Sequence, residues 1–267
     1  MIRLALMAFL VAAPAVAQDN SNLKRLPLRT DLLGWEAVGR VEIGRDNFCT
    51  GTLLATNLVL TAAHCVYARS GGRRPADSLT FRAGLTDGQV IAESAVARVV
   101  AHPAYVAGNP PDWNNVRHDV ALLELADAIP SGVASPFRTD PPVAAGGQVS
   151  VVSFAAGRED ALSRQRICGV IGENAGLMAF DCDVYYGSSG APVFFRDQGP
   201  PRIVAIVSSG SRGPEGTVSY GMELPSLVAE LKHALRTGRG VWPERGTGQG
   251  VLRRGSDTRA AGHFLRP

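Results

Sequence analysis

Cys49-Thr-Gly-Thr-Leu-Leu-Ala-Thr-Asn-Leu-Val-Leu-Thr-Ala-Ala-His64-Cys65 is the stretch on which the reading of this chain turns. It holds two short apolar runs, 51–54 and 58–61, separated by turn-forming residues, and the second run leads into a histidine and a cysteine. Runs this short, bounded by turn signals, predict strands, because a helix needs a longer periodic stretch. The same rhythm continues outward. Strands are predicted at 37–43, 79–83, 95–100 and 120–125, which makes six. A Pro-, Gly- and Ala-rich stretch, 130–147, then precedes six more, at 148–154, 166–171, 177–181, 192–195, 203–208 and 217–222. One amphipathic helix is predicted at 225–235, with Pro225 at its start and Leu227, Val228, Leu231 and Leu235 at helical spacing.

Two sets of six short strands and a late helix predict an all-β fold: two packed antiparallel six-stranded β-barrels with a C-terminal α-helix. A single large sandwich is the alternative that the pattern leaves open. The predicted organisation is a first barrel over 34–133, a linker over 134–147, a second barrel with the helix over 148–236, and a tail over 237–267. From residue 238 onward that tail holds six Arg against one Glu and one Asp, a net charge of +4, and is expected to be disordered. Contact with an anionic cell surface is one use for such a tail.

Composition narrows the function. Of 267 residues, 45% are hydrophobic and 19% charged, which excludes a mostly disordered chain. A net charge of +3 is too small to make nucleic acid the main partner. Residues 1–17 read as a secretory signal: Arg3 supplies the positive start, 4–13 the apolar stretch, and Ala15-Val16-Ala17 a small-x-small cleavage site. The apolar stretch is about half what a membrane span needs, and no later one is long enough, so no transmembrane segment is expected in the mature chain. A secreted or periplasmic location follows. Residues 18–33 are then a propeptide or an N-terminal arm.

Export changes how the four cysteines read. Two disulfides are expected in an oxidising compartment, with three possible connectivities. Cys49 with Cys65 and Cys168 with Cys182 is preferred, because each closes a short loop within one half of the chain. A zinc site is the competing reading, but the close ligand pairs such sites use are missing. No metal and no cofactor are called for.

Three separated segments carry chemistry: Thr61-Ala-Ala-His64-Cys65, His118-Asp119-Val-Ala-Leu-Leu, and Gly187-Ser188-Ser189-Gly190-Ala-Pro192. Acyl transfer needs such a set. A serine hydroxyl is a poor nucleophile until a base takes its proton, and neutral imidazole does so near pH 7. The imidazole in turn needs a carboxylate to fix its tautomer. Glycines beside the serine let backbone N–H groups converge where the oxyanion forms.

On these segments the chain resembles the trypsin/chymotrypsin-like serine proteases over residues 35–235, including the order His, Asp, Ser and the disulfide bracketing the histidine. The resemblance implies a double β-barrel with its site in the cleft between barrels. It implies Ser189 as nucleophile, His64 as general base, Asp119 as its orienting carboxylate, and an oxyanion hole from the N–H groups of Gly187 and Ser189. Ser208 and Gly210 would lie on the substrate-binding strand, and Asp183, six residues before Ser189, matches the pocket-floor aspartate that selects Arg or Lys. Where many relatives carry an Asp that pairs with a new N-terminus, this chain has Ser188. The resemblance is strongest to the bacterial branch related to glutamyl endopeptidases, although the glutamate-reading His and Thr correspond here to Val207 and Val184. His118 is not expected to share the site of Asp119, and His102, His233 and His263 are expected at the surface. The implied function is a secreted serine endopeptidase acting on proteins or peptides, with a monomer as the expected state. An inactive homologue that binds peptides or surfaces, or an esterase, are the alternatives.

Overall fold

The computed structural model describes residues 23–44, 47–109, 112–213 and 216–243. Thirteen strands are built in it. β1 (Leu23–Arg25) comes first. The next six are β2 (Val38–Ile43), β3 (Asn47–Ala55), β4 (Leu58–Thr61), β5 (Leu79–Ala83), β6 (Ala92–Ala101) and β7 (Ala121–Leu125). They close into an antiparallel barrel in the order β2-β3-β4-β7-β6-β5. The last six are β8 (Gln148–Ser153), β9 (Ser163–Asn174), β10 (Leu177–Phe180), β11 (Pro192–Phe195), β12 (Arg202–Gly213) and β13 (Gly216–Glu223). Their order is β9-β10-β13-β12-β11-β8, and pairing of β8 with β9 closes the second barrel. The predicted class holds: two six-stranded barrels and a late helix.

The short apolar runs show no alternation because their strands are buried on both faces. In β4, Val59 points into the first barrel while Leu58 and Leu60 enter the core between barrels. β7 divides likewise, with Leu123 and Leu125 inward and Leu122 outward. The second barrel supplies Val193 to its own interior and Phe194 to the shared core. There Phe194 meets Trp35 at 5.1 Å and Phe137 at 4.6 Å between ring centres. A fully buried side chain such as Phe194 contributes about 1.5–3 kcal/mol, and this layer holds one barrel against the other. Both expected disulfides are present, Cys49–Cys65 and Cys168–Cys182.

Helix α2 (Pro225–Thr237) starts with proline in its first turn and ends at Gly238, whose φ of +78° provides the left-handed stop. It buries Val228, Leu231 and Leu235. Two expectations need correction. The predicted tail from 237 does not start as free chain: Val241 and Trp242 are buried, Trp242 exchanges two backbone hydrogen bonds with Val99, and its indole N–H donates to the Arg74 carbonyl at 2.8 Å. One tryptophan in an Arg- and Gly-rich stretch thus packs the chain beyond α2 into the core of the first barrel. His102, expected at the surface, is buried against α2, with Nε2 3.3 Å from Glu230. Residues 23–33 join the barrels through β1, which pairs with β9, and through buried Leu26 and Leu32. The signal segment 1–17 and residues 244–267 of the tail lie outside the described residues.

Candidate active site

β4 ends at Thr61, and the chain turns through a 3-10 segment, Ala63–Val66, that presents His64 at the mouth of the inter-barrel cleft. Asp119 approaches from the other side. It caps a short helix, α1 (Trp113–His118), just before β7, and is 3% exposed. One carboxylate oxygen accepts from the His64 backbone N–H at 2.8 Å. The other lies 2.7 Å from His64 Nδ1 and accepts from the Ser208 hydroxyl at 2.6 Å. An ionised carboxylate only accepts, so Nδ1 carries the ring proton and Nε2 is left as the basic atom. Burial alone would lower the His64 pKa, but the charge of Asp119 and the hydrogen bond to it outweigh this, and the pKa stands above its ordinary value.

Ser208 owes its aim to an irregularity. In the β12–β13 ladder Val207 pairs with Gly221 and Ser209 with Tyr220, so Ser208 is an extra residue bulged out of register. Bulges of this kind redirect one side chain, here onto Asp119. His118 ends α1, stacks on His102 at 4.8 Å and bonds the Asn114 carbonyl, which takes it out of the Asp119 site as expected.

Ser189 lies in the turn between Asp183 and β11. It lines the same cleft as His64, Asp119 and Ser208, a cavity of about 590 Å³. The turn is fixed by close approach. A Cβ on Gly190 would lie 2.4 Å from both the Thr50 carbonyl and Thr61 Oγ1, and one on Gly187 would lie 2.2 Å from the Phe48 ring. Both glycines also have positive φ, +77° and +95°. All carbonyls from 185 to 189 are taken. They accept from Ser188 N, Ala156 N, Thr50 Oγ1, Ala191 N and Thr50 N, in that order, at 2.7–2.9 Å. The N–H groups of Gly187 and Ser189, in contrast, have no acceptor among the described residues. Two unsatisfied donors beside a serine hydroxyl are what an anionic oxygen requires.

The structure does not bring Asp183 to the cleft as a free acid. Its carboxylate accepts from Arg212 Nη2 at 2.7 Å, and its backbone N–H donates to Gln165. Arg212 lines the cleft and leans on the Tyr185 ring, while Val184, Val207 and Gly210 complete that part of the wall. Sequence reasoning missed Arg212, for nothing local marks an arginine 29 positions from its partner. It also missed Thr50, whose backbone and hydroxyl both serve the serine turn.

A family model described as the trypsin-like peptidase domain matches residues 49–206. Serine protease SP24D of Anopheles gambiae is 30% identical over 193 residues, 63% of this chain and 66% of its own length. Human serine protease 23 is 30% identical over 173 residues, 55% of this chain and 43% of its own. The chain thus spans less than two thirds of these curated relatives. Among solved structures, a Glu endopeptidase in complex with MPD aligns with a TM-score of 0.67 at 17% identity, covering 82% of this chain and 98% of that one. A thermostable serine protease from an extremophile aligns at 0.60 with 18% identity, covering 76% and 97%. At these identities the structural likeness speaks for the fold alone.

Proposed function

Since the chain belongs to the trypsin-like peptidase family, we propose that it is a secreted serine endopeptidase whose reacting groups are Ser189, His64 and Asp119. The observation that carries this reading is the Asp119 carboxylate, which holds His64 by both backbone and ring while Ser208 supports it from behind. In the first half-reaction Ser189 Oγ bonds to the scissile carbonyl carbon, and its proton passes to His64 Nε2. The carbonyl π pair moves to the oxygen, which the N–H groups of Gly187 and Ser189 receive. Collapse of the tetrahedral species returns that pair, breaks the C–N bond, and sends the His64 proton to the leaving amine. Water then repeats the sequence on the acyl-enzyme. Asp119 stays ionised throughout.

Selection of Arg or Lys before the scissile bond would rest on Asp183. With Arg212 already on that carboxylate, a basic side chain has to displace a guanidinium. Val184 and Val207 on the wall favour an uncharged apolar side chain instead. Secretion is supported by the two disulfides and by the signal-like residues 1–17.

The test is hydrolysis of an unfolded protein substrate by the purified chain and its His64→Ala variant. Internal cleavage by the wild type, reduced by several orders of magnitude in the variant, is expected. Ester hydrolysis without protein cleavage would make it an esterase, and no turnover of either substrate would make it an inactive binding homologue.

A further inference from the structure

Ser188 is fully buried, uncharged and polar, and it precedes the proposed nucleophile. Its hydroxyl donates to the Phe154 carbonyl at 3.2 Å and accepts from the Tyr185 N–H at 3.2 Å. Phe154 belongs to the turn that leaves β8, and across this turn Arg158 folds back. Arg158 Nη1 donates to the Ser153 carbonyl at 3.0 Å, Nη2 to the Ser153 hydroxyl at 3.1 Å, and its backbone N–H to the Ala155 carbonyl at 2.9 Å. The same Nη2 lies 3.5 Å from Ser188 Oγ, the outer limit of a hydrogen bond. One guanidinium therefore braces the turn from 153 to 158 and sits beside the Ser188 hydroxyl.

This turn presents the Ala156 N–H, which donates to the Tyr186 carbonyl at 2.7 Å. A trans peptide points its C=O and N–H in opposite directions. The carbonyl of Tyr186 and the N–H of Gly187 belong to one peptide unit, so pinning the first aims the second into the cleft. Glycine at 187 gives that unit freedom to turn over if the pin is lost. The second donor is held independently, since the Ser188 carbonyl on the Ser189 peptide accepts from Ala191 N–H at 2.9 Å.

We propose that Arg158, Ser153 and Ser188 form a built-in lock that holds the 185–190 turn in its anion-receiving shape without a contribution from a newly cut N-terminus. The three are positioning residues, acting through Ala156 and the Tyr186 carbonyl rather than on substrate. Burial lowers the pKa of the Arg158 guanidinium, and the charge of Asp183 offsets this only in part. That the turn serves an oxyanion rests on the peptidase reading above.

The test compares the full chain with its Arg158→Ala, Arg158→Lys and Ser188→Ala variants. Three readouts are taken: kcat and KM on one peptide, inhibition by a peptide aldehyde, and hydrogen exchange across 185–190. The aldehyde is informative because its hemiacetal oxygen occupies the oxyanion position. Arg158→Ala is expected to lower kcat by about 10²-fold, the order for losing one oxyanion donor. Aldehyde affinity should fall in parallel, with KM within a few-fold. Added guanidinium ion should recover part of the loss, Arg158→Lys should fall between, and Ser188→Ala should lose about tenfold. If Arg158→Ala does not fold, Ser188→Ala carries the same comparison. Unchanged kcat and aldehyde affinity in the variants would overturn the lock. So would a wild-type kcat that rises when upstream residues are trimmed. Faster exchange of 185–190 in Arg158→Ala supports the lock even if the wild type hydrolyses nothing, which would instead defeat the peptidase reading.

Discussion

Replacing Asp119 by Asn removes one charge and one acceptor face while preserving shape, and the hydrogen bonds predict how the amide must sit. Three donors converge on the carboxylate: His64 N–H, His64 Nδ1–H and the Ser208 hydroxyl. The His64 backbone N–H cannot turn away, so the amide oxygen must face it at the 2.8 Å position. That puts the NH2 group opposite Nδ1, and Ser208 must rotate its hydroxyl to accept. A donor facing Nδ1 forces the ring proton to Nε2, the atom that has to take the serine proton. The base is then present but blocked. For a tautomer fault of this kind in a Ser-His-Asp relay the loss is on the order of 10⁴-fold in kcat, about 5.4 kcal/mol in the barrier. The assay is kcat and KM for a peptide substrate between pH 5 and 9. Near pH 7 the expected result is a 10⁴-fold lower kcat with KM changed only a few-fold. A loss under about tenfold would refute the reasoning, because His64 would then reach its working tautomer without the carboxylate.

The rest of the electrostatics gives two more outcomes. Because Asp119 holds the His64 pKa above its ordinary value of 6.5, wild-type activity should fall with acid through a midpoint above 6.5, where imidazolium forms; a midpoint at or below 6.5 contradicts the pairing. The same raised pKa means that the charged pair stabilises the fold fully below the ordinary imidazole value and less as pH climbs through the folded one. The denaturation-midpoint gap between wild type and Asp119→Asn should therefore narrow from pH 6 to 9. Arg212→Ala should expose the Asp183 carboxylate and raise cleavage after Lys or Arg at least tenfold relative to cleavage after Leu. No change in that ratio, read from peptides differing at one residue, would mean that Asp183 does not reach the pocket.

What could be read from the chain and what could not divide along a physical line. The strands were legible because burial on two faces leaves unbroken apolar runs such as Leu58-Val59-Leu60, and the three chemical segments were legible because each adjoins such a run. The cysteine pairing followed from loop length. Contacts that depend on where distant strands end left no local trace. Arg212 reaches Asp183 across 29 positions, and Arg158 bears on Ser188 across 30. Only the uncharged residue at 188 hinted that the turn needed another support. The same holds for β1, a three-residue strand that gains meaning from its pairing with β9. Trp242 was hidden by an Arg- and Gly-rich neighbourhood whose composition reads as unfolded.

Reaction of the full chain with a fluorophosphonate, followed by mass spectrometry of the labelled peptide, tests the centre of this account most directly. One adduct per chain on the Ser189 hydroxyl is predicted, lost in His64→Ala and formed in Ser188→Ala. An adduct on Ser188, or labelling of Ser189 at the wild-type rate when His64 is replaced, would contradict it.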